Sequence, residues 1–217
     1  MRQACGVLAS LVVLMACGCD VVTNPGVRGS GVAKTETRSL EPCTQVELIG
    51  SGRLEVTIGE PGPLELTGDD NLLPLISTTV EAGRLRIKPT EKIHPETNLV
   101  FRITVADLDD VRLDGAAKIV IAKLDNKHLR VRLFGAADAV ISGRTDRADF
   151  ELTGAADLDA SGLAAGQVSI NLAGAGDADV RAIETLDVSI AGVGSVSYSG
   201  DPKVTKSISG LGVLKKK

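Results

Sequence analysis

The chain has 217 residues, a formal net charge of −4, 24 glycines against 8 prolines, and only 2% aromatic residues with no tryptophan. That length allows a substantial core in one domain, the mild acidity gives no electrostatic basis for nucleic-acid binding, and so few aromatics are poor material for an enzyme pocket. Glycine without a strict Gly-X-Y period excludes collagen and fits a turn-rich β protein, because glycine supplies the dihedrals that turns need.

Arg2 precedes an apolar segment, residues 7–16, that is too short to span a bilayer as a helix. The run Leu14-Met15-Ala16-Cys17 resembles a bacterial lipoprotein signal box, with Leu three places before the cysteine and a small residue directly before it. The resemblance implies a signal peptide over residues 1–16, cleavage before Cys17, and lipidation of its thiol and new amine. Cleavage before Cys19 is the rival; it puts Ala16 where the box prefers Leu. Several acyl chains on one residue anchor stably, since each buried CH₂ contributes about 0.8 kcal/mol. The expected address is the cell envelope, lipid-anchored and extracytoplasmic. Gly18 after Cys17 favours the outer membrane; Asp20 after Cys19 would favour the inner one. Once Cys17 is used, Cys19 and Cys43 are a candidate disulfide in an oxidising compartment, with two unpaired thiols as the alternative.

Residues 17–44 read as the lipidated N-terminus and a flexible tether, because residues 21–38 are rich in Gly, Thr and Ser and show no sustained apolar period. The folded domain is expected over residues 45–214, with residues 215–217 as a basic tail. Val46, Leu48, Leu54, Val56 and Ile58 alternate with polar residues around Gly50-Ser51-Gly52, the pattern of strands about a tight turn. Residues 64–67, 85–88 and 100–105 predict further strands. Pro74 forbids a central strand within residues 69–79, where a short helical turn or loop is expected. Residues 89–96 read as an exposed loop.

The chain then repeats. Gly115, Gly135, Gly154, Gly174 and Gly192 are spaced by 20, 19, 20 and 18 residues. Two places before them stand Leu113, Leu133, Leu152, Leu172 and Ile190; four before, Val111, Val131, Phe150, Ile170 and Val188. Four places after stand Ile119, Ala139, Leu158, Ala178 and Val196; six after, Ile121, Ile141, Ala160, Val180 and Tyr198. Gly50 and Gly210 fall in the same frame. The pattern predicts an all-β fold, a right-handed parallel β-helix (solenoid) with coils of about 20 residues, in which like stacks on like at about 4.8 Å. Leucine-rich repeats share the period but not the Asn frame, and a β-sandwich would not require the same residue type at the same phase. Pro202 and the terminal lysines would guard an open sheet edge.

The turns Gly50-Ser51-Gly52, Gly135-Ala136-Ala137-Asp138, Gly154-Ala155-Ala156-Asp157, Gly174-Ala175-Gly176-Asp177 and Gly192-Val193-Gly194-Ser195, behind such a signal, resemble the family called putative auto-transporter adhesin, head GIN domain. Leu66-Thr67-Gly68-Asp69-Asp70-Asn71-Leu72-Leu73 and Gly83-Arg84-Leu85 resemble the N-terminal half of that family. The resemblance covers roughly residues 45–214 and implies β-helical stacking in a cell-envelope setting. Two copies carry Ala-Ala where the family more often has Ser-Gly, and the family supplies no active site to carry over.

The sharpest chemical feature is an acidic row. Three places after the glycines stand Lys118, Asp138, Asp157, Asp177 and Ser195; five places after, Asp159 and Asp179 add a second row. Stacked carboxylates could attract Ca²⁺, but Asp is also a good turn residue in its own right, and Lys118 would neutralise part of the row. The two rows are therefore candidates for a surface or ion ladder, with no metal and no cofactor assigned. His94 and His128 have no Cys or His at metal spacing and are expected in solvent. No Gly-x-Ser-x-Gly elbow with a triad order occurs, so no catalytic residue is named and the chain is read as a non-enzyme. The expected function is a non-enzymatic cell-envelope lipoprotein, an adhesion or ligand-binding β-helix module. Its partners would be the membrane, through the lipid anchor, and a surface ligand or glycan, but not nucleic acid. A structural envelope spacer and a polysaccharide-acting β-helix enzyme are the alternatives.

Overall fold

In the computed structural model, residues 25–217 are described. Among them the fold is all-β, with no closed barrel, no α-helix, and no helix long and apolar enough to cross a membrane. Its pivot is β3, Gln45–Ile58. One edge of β3 pairs in parallel with the start of the 90-residue β9, Asp110–Ser199, placing Gly50 opposite Gly115. The other edge is shared. β6 (Arg84–Pro89) pairs in parallel with residues 45–48, and β8 (Val100–Val105) with residues 53–58. Beyond β8 lie β4 (Leu64–Asp69) and β2 (Ala33–Arg38), both antiparallel, and β5 (Ile76–Glu81) is antiparallel to β6. A 3-10 turn, Leu73–Leu75, carries Pro74 between β4 and β5, as its missing N–H requires.

β9 does not run straight. It bends at each repeat glycine, and the copies lie against one another. A Cβ placed on Gly135 would stand 2.5 Å from the Gly115 carbonyl oxygen, and one on Gly154 would stand 2.5 Å from that of Gly135. Both glycines also hold positive φ, +106° and +105°, so they meet two demands that only glycine satisfies together. β10, Lys203–Lys216, continues in parallel register, with Gly210 opposite Gly192. The aligned apolar rows form the core: Val111, Leu113, Ile119, Ile121 and their counterparts through the Gly192 copy are buried, apart from the partly buried Tyr198. Each Leu, Ile or Val so buried contributes roughly 1.5–3 kcal/mol. Leu124, Leu129, Ala148, Leu163, Val168 and Leu186 are buried as well. Leu129, Ala148, Val168 and Leu186 stand six places before their glycines, and Leu124 and Leu163 nine places after theirs, so they extend the same frame beyond the rows the sequence reading aligned.

The polar face between the rows is laced across strands. Glu47 on β3 faces Arg86 on β6 at 2.8 Å and Arg112 on β9 at 3.6 Å, and Arg112 lies 4.5 Å over the Phe134 ring. Arg132 reaches both oxygens of Asp110, at 2.7 and 2.8 Å.

Three stretches depart from the sequence reading. Residues 33–38, read as tether, form β2 and pair along β4. An edge strand needs only main-chain partners on one side, so its side chains stay polar and leave no apolar period. Arg38 fastens it by donating to the carbonyls of Leu73 and Ile76, at 2.8 and 2.6 Å. Likewise β1 (Val27–Arg28) pairs with β7 (Ile93–His94) inside the stretch read as a loop. The basic tail is also structured. Lys215 and Lys216 belong to β10, and the Lys217 amide donates to the Tyr198 carbonyl at 2.9 Å. The signal segment, Cys17 and Cys19 lie outside the described residues.

Candidate functional site

The fold brings the acidic rows together. Asp138, Asp157 and Asp177 line up between Lys118 and Ser195, beside Asp159 and Asp179, along a shallow trough of about 420 Å³. Their hydrogen bonds run along the stack. The Asp177 amide donates to Asp157 Oδ1 at 2.9 Å, and the Ser195 amide and hydroxyl donate to Asp177 Oδ1 at 3.0 and 2.7 Å. A carboxylate in one copy thus satisfies the amide of the next. In the second row, the Ser161 hydroxyl and amide hold the Asp159 carboxyl below the usual carboxylate range. Asp179 accepts from Lys217 Nζ. Among the described residues no three His, Cys, Asp or Glu side chains converge as a metal set.

A second feature lies at the first glycine corner, and no motif marks it. Residues 49–52 of β3 have β9 on one edge, but no strand is registered on the other, because β6 ends at Pro89 and β8 starts at Val100. Pro89 has no N–H with which to extend the pairing. The intervening chain leaves a cleft of about 370 Å³, within the range of roughly 300–1,000 Å³ typical of small-molecule sites. Leu48, Ile76, Ile87, Leu99 and Phe101 form its apolar lining, none more than 6% exposed. Gly50, Gly115 and Ala116 lie on the repeat side. Lys88 and Lys92 are the only charged residues lining it, both exposed and outside every ion pair among the described residues.

The outer wall of the cleft is pinned by Asp69, which is 1% exposed. Its carboxylate accepts the amides of Gly31 at 2.8 Å, Glu96 at 3.0 Å and Thr97 at 3.1 Å. Burial pushes the Asp69 pKa up, but the Thr97, Gly31 and Glu96 amides outweigh it and hold the carboxyl below its ordinary range. One buried charge therefore ties the N-terminal stretch, the end of β4 and the segment before β8 together.

His94 is exposed and meets the Pro25 carbonyl through Nε2 at 2.9 Å. His128, expected in solvent, is half-buried and pairs with Asp149 at 2.8 Å. Cys43 is a buried thiol whose pKa burial pushes up; its candidate partner, Cys19, lies outside the described residues.

The model of a family described as putative auto-transporter adhesin, head GIN domain, matches residues 43–202. A crystal structure of a putative adhesin from Bacteroides fragilis is similar, with a TM-score of 0.72 and 21% identity, over 88% of this chain and 100% of that one. A putative adhesin from Parabacteroides merdae has a TM-score of 0.59 and 19% identity, over 88% and 99% of the two chains. A putative lipid binding protein from Parabacteroides distasonis has a TM-score of 0.57 and 22% identity, over 88% and 99%. At such identity the likeness is one of fold. No curated protein matches the chain.

Proposed function

We infer that this chain, which belongs to the putative auto-transporter adhesin, head GIN domain family, is a non-enzymatic binding module held on the cell envelope by a lipid at Cys17. Its body is a right-handed parallel β-helix with coils of about 20 residues. The observation that carries the reading is the register of equivalent glycines, Gly50 on Gly115 and Gly192 on Gly210. That register sets Asp138, Asp157 and Asp177 in file along the trough. Groups repeated at about the strand spacing of 4.8 Å suit a ligand that is itself repetitive, such as a surface glycan. The test is retention of the soluble protein, carrying Cys17→Ser, on glycan and matrix arrays. Retention lost in the Asp138→Lys/Asp157→Lys/Asp177→Lys protein supports a binder. No retention leaves the spacer role, and cleavage of a glycan reinstates the enzyme. Membrane release of the full-length protein by Cys17→Ala tests the anchor.

A lipid is the second ligand class. The apolar cleft over Gly50 favours it, and so does the description of the Parabacteroides distasonis neighbour as a putative lipid binding protein.

A further inference from the structure

We propose that the cleft over Gly50 binds a single-chain anionic amphiphile, a fatty-acid carboxylate, with its acyl chain against Leu48, Ile76, Ile87 and Phe101 and its head group met by Lys88 and Lys92. The proposal rests on reading the cleft as a lipid site and goes further by fixing the number of chains and the charge of the head.

The cleft is a product of main-chain register and is not left to side-chain packing. Every later glycine corner has the preceding copy packed directly against it, whereas the corner at residues 49–52 faces the gap between Pro89 and Val100. The hole cannot close by rotamer change, because its outer wall is pinned through Asp69 to main-chain amides at residues 31, 96 and 97. A wall already ordered loses little freedom when a ligand enters.

Charge chooses the head group. Elsewhere among the described residues of this half the cations have partners: Arg28 has Glu96, Lys34 and Arg38 have Glu36, Arg53 and Arg102 have Glu55, Arg86 has Glu47, and Arg84 has the neutral Gln45. Lys88 and Lys92 have no such partner, and they stand at an apolar opening where no carboxylate lines the wall. Two unanswered ammonium groups beside an apolar cavity suit a ligand with one acidic end. Size chooses the chain number. At about 370 Å³ the cleft lies near the lower end of small-molecule sites, which suits one acyl chain and not a two-chain lipid.

The test is calorimetric titration of the soluble Cys17→Ser protein with octanoate, decanoate and decanol, alongside flotation with phosphatidylglycerol vesicles. Decanoate is expected to bind one to one and about fifteenfold more tightly than octanoate, since each of its two added methylenes contributes about fourfold. Decanol is expected to bind at least tenfold more weakly than decanoate, and the vesicles to leave the protein in solution. Lys88→Gln/Lys92→Gln should weaken decanoate about tenfold without moving decanol. Ala116→Trp, at an exposed position on the cleft wall, should abolish both, with unchanged thermal melting showing that the variant folds. Equal binding of decanol and decanoate would overturn the anionic head group while sparing the lipid site. Absence of binding by every amphiphile would overturn both, and capture by vesicles without decanoate binding would replace the cleft with a membrane-facing surface.

Discussion

The same glycine corner occurs in two settings. At Gly135, Gly154 and Gly174 it is packed between copies of itself, whereas at Gly50 one edge meets Gly115 and the other meets the cleft. Identical turn chemistry thus gives closed, inert stacking where the period holds, and an opening where the chain leaves the period between residues 59 and 109. The two regions differ in charge as well. The repeat presents an acidic trough whose carboxylates are partly occupied by neighbouring copies; the first corner presents an apolar hollow with free lysines.

The largest expected effect breaks the stack itself. Gly154→Ala forces a Cβ to 2.5 Å from the Gly135 oxygen at a φ of +105°, and should destabilise the protein by about 3–4 kcal/mol in denaturant titration. Gly50→Ala meets only Pro89, at 3.4 Å, and should lose about 1–2 kcal/mol of stability through the backbone strain added at its φ of +113°. A smaller gap between the two would mean that the corners are equally free.

Core position gives the next contrast. Ile190 and Ile208 share one phase, yet they are 1% and 38% exposed. Ile190→Ala should cost about 3–4 kcal/mol and Ile208→Ala about 1 kcal/mol, because only the first leaves a cavity closed on all sides.

Asp69→Asn keeps one acceptor oxygen and removes the charge that three amides face. A loss of about 2–3 kcal/mol is expected, with faster amide exchange at residues 96 and 97. The pH dependence has a definite sign. The folded Asp69 pKa lies below its unfolded value, about 3.9. Its contribution is complete above that value and disappears as pH falls through the folded pKa. The difference between wild type and Asp69→Asn should therefore shrink in acid.

The smallest effect separates the members of the acidic row. Asp177→Ala removes the acceptor for Ser195 and should cost about 1 kcal/mol. Asp138→Ala, at an exposed position, should stay within about 0.5 kcal/mol.

Periodic features were legible in the sequence because they depend on residues near each other in phase. The glycines, their flanking apolar pairs and the membership of Gly50 and Gly210 all follow from spacing. So does the acidic file, since register alone places Asp138, Asp157 and Asp177 on one line. The cleft depends on where pairing stops, and that is decided jointly by Pro89, Val100 and the buried carboxylate of Asp69. These positions are distant in sequence, and none is unusual by itself. β2 was hidden for the converse reason, since an edge strand held by main-chain bonds and by Arg38 needs no apolar alternation.

The parallel register has a consequence for how such a chain can change in length. In the β-helix proposed above each copy stacks chiefly on the copies either side of it, so removing residues 155–174 would rejoin two glycine corners in the same phase. The shortened molecule would lose one step of about 4.8 Å and keep both ends unaltered. Duplication of the same segment would add one step. The distance between the cleft and the far end of the acidic trough is thus set by a count of copies, and recombination can reset it in whole increments without redesigning either site.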